Sequence, residues 1–378
     1  MASCFEARAS RLPLSESTSY LPAGTPGRGS GETDALLTNS PFIKACRREP
    51  VEYTPVWLMR QAGRFMPEYR EIRAKVGFLE LCKNPDLAAQ VTVMAVEKLA
   101  VDAAIIFADL LLPLEPMGVG LAYGAGDGPR IERPVRSPAD VERLHDFAVA
   151  DSLAFVLEAV RTARNALPPH IPLIGFAGAP FTLAAYLVEG GASRNYENTK
   201  AFMYRHPAAW SVLMSRLADI SAAFLSAQAG AGAQAVQLFD SWVGCLSEED
   251  YRTFALPYSQ KAIAGVTAGV PVIHFGTGTP HLLELMRQAG GNVIGLDWRV
   301  SLDTAWHKLG YDVAVQGNLD PAVLLSEPDE IRRRVGRILE QAGGRPGHIF
   351  NLGHGVLPGT PFESVKLLVE TVHEMIRR

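Results

Sequence analysis

An alternation, repeated eight times from residue 55 onward, limits this chain's fold more than any other feature: a short β-rich apolar run is followed each time by a longer helical stretch. The runs are PVWLMR (55–60), AAIIFAD (103–109), PLIGFAG (172–178), AQAVQLFD (233–240), VPVIHFG (270–276), NVIGLD (292–297), DVAVQGN (312–318) and HIFNLGH (348–354). Helix signals stand between them. Pro67 is placed for a first helical turn, Asn84 precedes Pro85, helical patterns run near 138–145, 151–166 and 207–229, and Ser247 leads Glu248, Glu249 and Asp250. Strands apolar at nearly every position are buried on both faces, as in a parallel sheet covered by helices. Eight such units predict an α/β protein, a (β/α)8 TIM barrel in a single domain over residues 40–378. Two doubly wound sheets are the rival, but the glycine-rich stretches 118–128 and 276–278 do not supply G-x-G-x-x-G between a strand and a helix.

Residues 1–39 differ in kind. They are rich in Ser, Gly, Pro and Thr, with few large apolar groups to offset the entropy of ordering, and read as a disordered extension. A transit peptide is the sharper alternative, opposed by Glu6 and Glu16. The chain as a whole has the composition of a large-cored globular protein, 48% hydrophobic and 20% charged. A net charge of −4 without long one-sign runs leaves no footprint for nucleic acid or an anionic membrane. No continuous apolar run reaches the roughly 18–20 residues needed to span a bilayer. Four scattered cysteines without a C-x-x-C pair suit a reducing compartment, so a cytoplasmic location is expected.

In TIM barrels the groups that do chemistry follow the C-terminal ends of the strands. Here those positions hold Arg60 and Arg64, Asp109, Phe176 with Tyr186 a little later, Phe239 with Asp240 and Ser241, His274, Asp297, Asn318 and His354. Taken one at a time, each of these could as well be a helix cap or a loop ion pair. Arg60 and Arg64, four apart, are expected to point the same way from one helical turn, and guanidinium forks suit carboxylates or phosphates. Asp109 after an apolar run places one carboxylate among cations. Such a mouth suits a polyanion with an N–H-rich centre.

Six segments, MRQAGRFMPEYR (59–70), IIFADLLLPLEPMG (105–118), GFAGAPFTLAAYLVEGG (175–191), QLFDSWVG (237–244), QGNLDP (316–321) and FNLGHGVLPGTP (350–361), resemble the uroporphyrinogen decarboxylase family in order and spacing. The resemblance covers residues 40–378 and implies a TIM barrel acting as a homodimer. The implied reaction converts the four acetate side chains of uroporphyrinogen III to methyl groups, giving coproporphyrinogen III in haem biosynthesis, with no metal or organic cofactor. Carried over by position, Arg60 and Arg64 bind substrate carboxylates with Gln61 between them, and Asp109 is the central acid. Tyr186, Ser241 and His354 complete the polar set, Phe176 and Phe239 supply apolar walls, and Asp109, Arg60 and Tyr186 form the catalytic group. The sequence departs from the pattern in its longer tail and in HFGTGTP (274–280).

Two other readings compete. A zinc-dependent corrinoid or cobalamin methyltransferase on the same barrel needs a His-x-Cys pair and a late cysteine, whereas His274-Phe275-Gly276 lacks the thiol and no cysteine follows Cys245. A barrel that only binds a polyacid would not turn it over. Exhaustive chelation is expected to leave turnover unchanged; a loss of activity that added zinc restores would contradict the cofactor-free reading.

Overall fold

A computed structural model describes residues 35–124 and 128–375. Most of the extension expected to be disordered, residues 1–34, lies outside the described residues. Residues 35–38 already form a helical turn with Leu37 buried, so packed chain begins ahead of the expected boundary at residue 40.

Nine strands are present among the described residues: β1 (Ala104–Ile105), β2 (Leu121–Tyr123), β3 (Pro129–Ile131), β4 (Leu173–Gly178), β5 (Ala235–Asp240), β6 (Val272–Gly276), β7 (Val293–Gly295), β8 (Ala314–Gln316) and β9 (His348–Ile349). Seven form one parallel sheet in the order β1-β4-β5-β6-β7-β8-β9, while β2 and β3 make a separate antiparallel hairpin. The first apolar run closes this sheet into a ring, although it is reduced to a single bridge. Val56 pairs in parallel with Phe350 just beyond β9, with Phe350 N–H donating to Pro55 O at 2.8 Å. On its other side Val56 O accepts from Asp102 N at 2.8 Å, just ahead of β1. All eight runs therefore occupy barrel positions in chain order, as the alternation predicts.

Alternate residues of each run face inward and outward. Trp57, Met59, Ile174, Ile273, Phe275 and Ile349 fill the interior in one cluster. Their neighbours Val56, Leu58, Leu173, Val236 and Val272 pack outward under the helices. Both faces are buried, which is why the runs read as continuous rather than alternating. Inside, a polar chain crosses the barrel: Trp57 Nε1 donates to Gln316 Oε1 (2.9 Å) and Gln316 Nε2 to Gln237 Oε1 (3.0 Å).

Several helices start where the sequence signals them. The helix Pro67–Arg73 has proline in its first turn, Asn84 Oδ1 caps the helix Pro85–Leu99 through Leu87 N–H at 3.1 Å, and Ser247 caps the helix Glu248–Phe254 through Asp250 N–H at 3.1 Å. The helix Pro207–Ala231 is long and apolar enough to cross a membrane by length and composition, although Arg216 and Asp219 interrupt it, so it is not a continuous apolar run. Half of its most apolar window is buried inside the protein, with Leu213, Met214, Leu217 and Phe224 in the core. On it Arg216 pairs with Asp146 (2.6 Å) and Asp219 with Lys261 (2.7 Å).

Closure depends on the Asp102 carboxylate, which accepts from Val56 N–H (2.7 Å) and Tyr53 Oη (2.9 Å) and lies 2.9 Å from His373 Nε2 on the last helix, Phe362–Met375. Asp102→Ala strands the buried Val56 N–H and is expected to cost about 2–4 kcal/mol in chemical denaturation. An unchanged unfolding midpoint would show that closure does not need this carboxylate.

Candidate active site

The mouth is assembled from loops that follow the strands, beginning with the one after the closing run. Met59 N–H donates to Asn351 Oδ1 (3.1 Å), and Met59 O accepts from Val356 N–H (2.9 Å), so the loop after β9 grips the chain on both sides of this residue. Arg60 then takes a left-handed backbone conformation, φ 61°, unusual for a residue with a side chain. Residues 59–66 form consecutive turns and bends, not the helical turn expected from the four-residue arginine spacing. The tertiary grip on Met59 overrides the local helical pattern. Arg60 and Arg64 are both solvent-exposed. The Arg60 side chain lies over Gly355, where a Cβ would stand 2.5 Å from its Cδ. Arg60 is thereby set beside His354.

Asp109 stands at the end of the second run, with Oδ1 accepting from Leu111 N–H at 2.8 Å. Burial among the surrounding side chains pushes its pKa above the ordinary carboxylate range, though the residue keeps some exposure to the mouth. The Tyr123 hydroxyl, the Leu111 N–H and the Arg60 charge act in the opposite direction. That hydroxyl is buried and, among the described residues, has no partner at full hydrogen-bond geometry, yet it faces Asp109 closely enough to favour the ionised acid. Tyr186 projects from the helix Pro180–Glu189. Its phenol is pushed up first by burial and then by the Asp109 charge, with Arg60 opposing, so it stays protonated as a donor. Asp109, Arg60 and Tyr186, taken from separate segments of the chain, thus share one electrostatic neighbourhood.

The walls are aromatic. Phe176 and Phe239 meet edge to face at 5.5 Å, and Phe239 meets Phe275 at 5.9 Å. Tyr186 packs on Trp242 at 3.7 Å, directly after half-buried Ser241. Asp240, fully buried on the outward face, accepts from Thr182 Oγ1 at 3.0 Å, which ties the helix of Tyr186 to the end of β5. His354 meets Trp298 edge to face at 6.3 Å. Burial, then the Arg60 charge, lowers the His354 pKa, so its imidazole is neutral near pH 7.

Several expected contacts are spent elsewhere. Gln61, assigned to substrate binding by the resemblance, is fully buried below the mouth. Its Oε1 accepts from Leu58 N–H (3.0 Å) and its Nε2 donates to Ala103 O (3.1 Å), so the amide joins the closing run to the chain just ahead of β1. His274 alternates with inward-facing Ile273 and Phe275 and therefore points out of the barrel, with Nδ1 3.3 Å from Met286 O. Asp297 accepts from Arg299 N–H (2.9 Å) and Arg299 Nη1 (2.7 Å), and Asn318 Nδ2 donates to Asp297 O (2.8 Å) and Val300 O (2.7 Å). Tyr123, Trp242 and Trp298 are neighbours of the site that strand-end reading missed. The two tryptophans immediately follow the strand-end residues Ser241 and Asp297, and that adjacency is the signal that could have found them. A separate hollow of about 350 Å³, lined by Arg47, Val266, Pro271 and Asn292 among others, lies at the start of β6 and β7. That end of a barrel supports stability, and the opposite mouth carries chemistry.

Residues 37–375 match the family model described as uroporphyrinogen decarboxylase (URO-D). The chain belongs to the uroporphyrinogen decarboxylase family. Among relatives, the uroporphyrinogen decarboxylase of Carboxydothermus hydrogenoformans is 54% identical over 338 residues, 89% of this chain and 97% of that protein. The uroporphyrinogen decarboxylase of Sorangium cellulosum is 55% identical over 337 residues, covering 89% and 96%. A methyltransferase from Methanosarcina mazei has a similar fold, with a TM-score of 0.76 over 90% of this chain and 98% of that one. At 22% identity this likeness speaks to the fold, while the relatives above half identity carry the decarboxylase name, so the methyltransferase alternative is not favoured.

The raised pKa of Asp109 has a consequence for stability in this family member. The folded state favours the protonated acid, so the ionised form costs stability above the folded pKa, and this cost disappears as pH falls into the ordinary carboxylate range. Asp109→Asn, whose Oδ1 can still accept from Leu111 N–H, is expected to melt higher than the parent at pH 7, with the gain shrinking toward pH 4. A lower midpoint for Asp109→Asn at pH 7 would contradict the burial argument.

Proposed function

We propose that this chain removes carbon dioxide from the four acetate side chains of uroporphyrinogen III, giving coproporphyrinogen III. Membership of the family supports the reaction class. The observation that carries the reading is the pairing of the Asp109 carboxylate, not neutralised by an ion pair of its own among the described residues, with Arg60 and the protonated Tyr186 phenol at one barrel mouth. Uroporphyrinogen carries eight carboxylates around four pyrrole N–H groups, the complement of exposed arginines around one central acid.

Loss of carbon dioxide leaves an electron pair that must be accommodated. Protonation of a pyrrole α-carbon makes that ring cationic, so the C–C bonding pair of the departing carboxylate flows into the ring as CO₂ leaves. A second proton then adds at the exocyclic carbon to complete the methyl group, and the ring α-carbon returns its proton. Asp109 faces the pyrrole nitrogens and stabilises the cationic ring, an effect strengthened by the burial that raises its pKa. Arg60 holds the reacting acetate in this scheme, and Arg64, Ser241, neutral His354 and Tyr186 bind the remaining edge of the macrocycle. Phe176 and Phe239 exclude water on one wall. The ring itself is the electron sink, so the scheme needs neither a metal nor an organic cofactor. The reading takes the chain to act as a homodimer in the cytoplasm, with no nucleic acid or membrane partner.

The purified chain, with nothing added, is expected to convert uroporphyrinogen III to coproporphyrinogen III. Asp109→Asn is expected to lower kcat by about 10²-fold or more, comparable with removal of one preorganised stabilising group elsewhere, and Asp109→Glu should be intermediate. His354→Asn, which keeps a donor of similar reach, should retain measurable turnover. A folded Asp109→Asn protein with parental kcat would refute the role given to the carboxylate.

A further inference from the structure

The mouth holds another cation that neither the strand-end pattern nor the resemblance assigns. Arg299 lies in the loop after β7, and its guanidinium stacks on the Trp298 ring at 4.0 Å. Trp298 in turn meets His354 edge to face, so Arg299, Trp298 and His354 form a connected rim. The loop is held from three sides. Asn318 donates to Asp297 O and Val300 O, Arg299 N–H and Nη1 bind the buried Asp297 carboxylate, and Gly353 lies so close to the Trp298 backbone that no Cβ fits there. Arg299 is asymmetric: Asp297 has no exposed side-chain surface, whereas the Arg299 side chain is 47% exposed. Its charge and that of Arg60 both act on His354. Such a guanidinium, fixed by stacking at one face and by a buried carboxylate at one nitrogen, keeps the other N–H groups pre-aimed for a fork with an anion.

We propose that Arg299 is a further substrate-binding residue, holding a peripheral carboxylate of the tetrapyrrole on the His354 side of the mouth, away from the reacting acetate. This rests on the decarboxylase reading, whose octacarboxylate substrate has more anionic groups than Arg60 and Arg64 can engage. The contact is made equally in the ground state and the transition state, so its loss acts on KM and leaves kcat alone. A merely structural Arg299 would serve to neutralise Asp297, and that role makes a different prediction. Removing both partners leaves no buried orphan charge.

The test compares the parent, Arg299→Gln, Arg299→Lys and the double variant Asp297→Asn/Arg299→Gln. It measures kcat and KM for uroporphyrinogen III, and the Kd of uroporphyrin III, the oxidised octacarboxylate, from quenching of tryptophan fluorescence. Arg299→Gln and the double variant are both expected to raise KM and Kd by about tenfold, with kcat within twofold of the parent and a flatter dependence of KM on salt. Arg299→Lys should fall between. Return of the double variant to parental KM and Kd would show that Arg299 only balances Asp297, and parental values in Arg299→Gln would equally overturn the proposal. Absence of parental turnover would count against the decarboxylase reading alone, because the porphyrin Kd series still reports on Arg299.

Discussion

The structure depends on a junction one residue wide. Val56 is the whole of the closing strand, bridged to Phe350 on one side and to Asp102 on the other. A parallel ring of eight positions with such a narrow closure has little ladder hydrogen bonding to hold it there. The Asp102 carboxylate supplies what the ladder lacks, and it gathers Tyr53 and His373 at the same point. The same junction brings the beginning of the folded chain against its end, so that Met59 is gripped by Asn351 and Val356 and Arg60 comes to lie over Gly355. Without closure, Arg60 and His354 would have no reason to be neighbours. Barrel stability and site geometry are therefore one constraint at this position.

Charge at the mouth is arranged with a cost. Burial disfavours ionised Asp109, and the groups that compensate it are a phenol, a backbone N–H and the nearby Arg60. None of these is a salt-bridge partner that would hold the acid fully ionised and quench its field. Among the described residues the exposed Arg60 and Arg64 side chains have no hydrogen-bond partner, while His354 is held neutral by burial and by Arg60. Stability given up around Asp109 is what the proposed role entails, since a site prepared for a charge that appears only during reaction is costly before it.

Much of this was legible from residues alone, for identifiable reasons. Strand positions could be read because both faces of each run are buried, which leaves an uninterrupted apolar signature. Asp109 could be found because a carboxylate at the end of AAIIFAD has no place in the core. Inward or outward direction is harder to read: His274 and Asp240 sit at strand ends like the candidate site residues, but the period-2 alternation sends both toward the helices. The Gln61 side chain and the Arg60 turn are not legible locally because their conformations are set by distant segments, Ala103 in one case and the loop at 351–356 in the other. Tyr123 arrives on a hairpin outside the barrel sheet, so no strand-end rule could place it beside Asp109.

The central claim is that Asp109 faces the pyrrole nitrogens of a bound tetrapyrrole. An experimental structure of the chain with coproporphyrinogen bound tests it most directly. The macrocycle is expected at the mouth formed by Arg60, Tyr186 and His354, with an Asp109 carboxylate oxygen within hydrogen-bond distance of pyrrole N–H groups. A macrocycle whose nitrogens lie away from Asp109, with the carboxylate accepting only from Leu111 N–H, would contradict it.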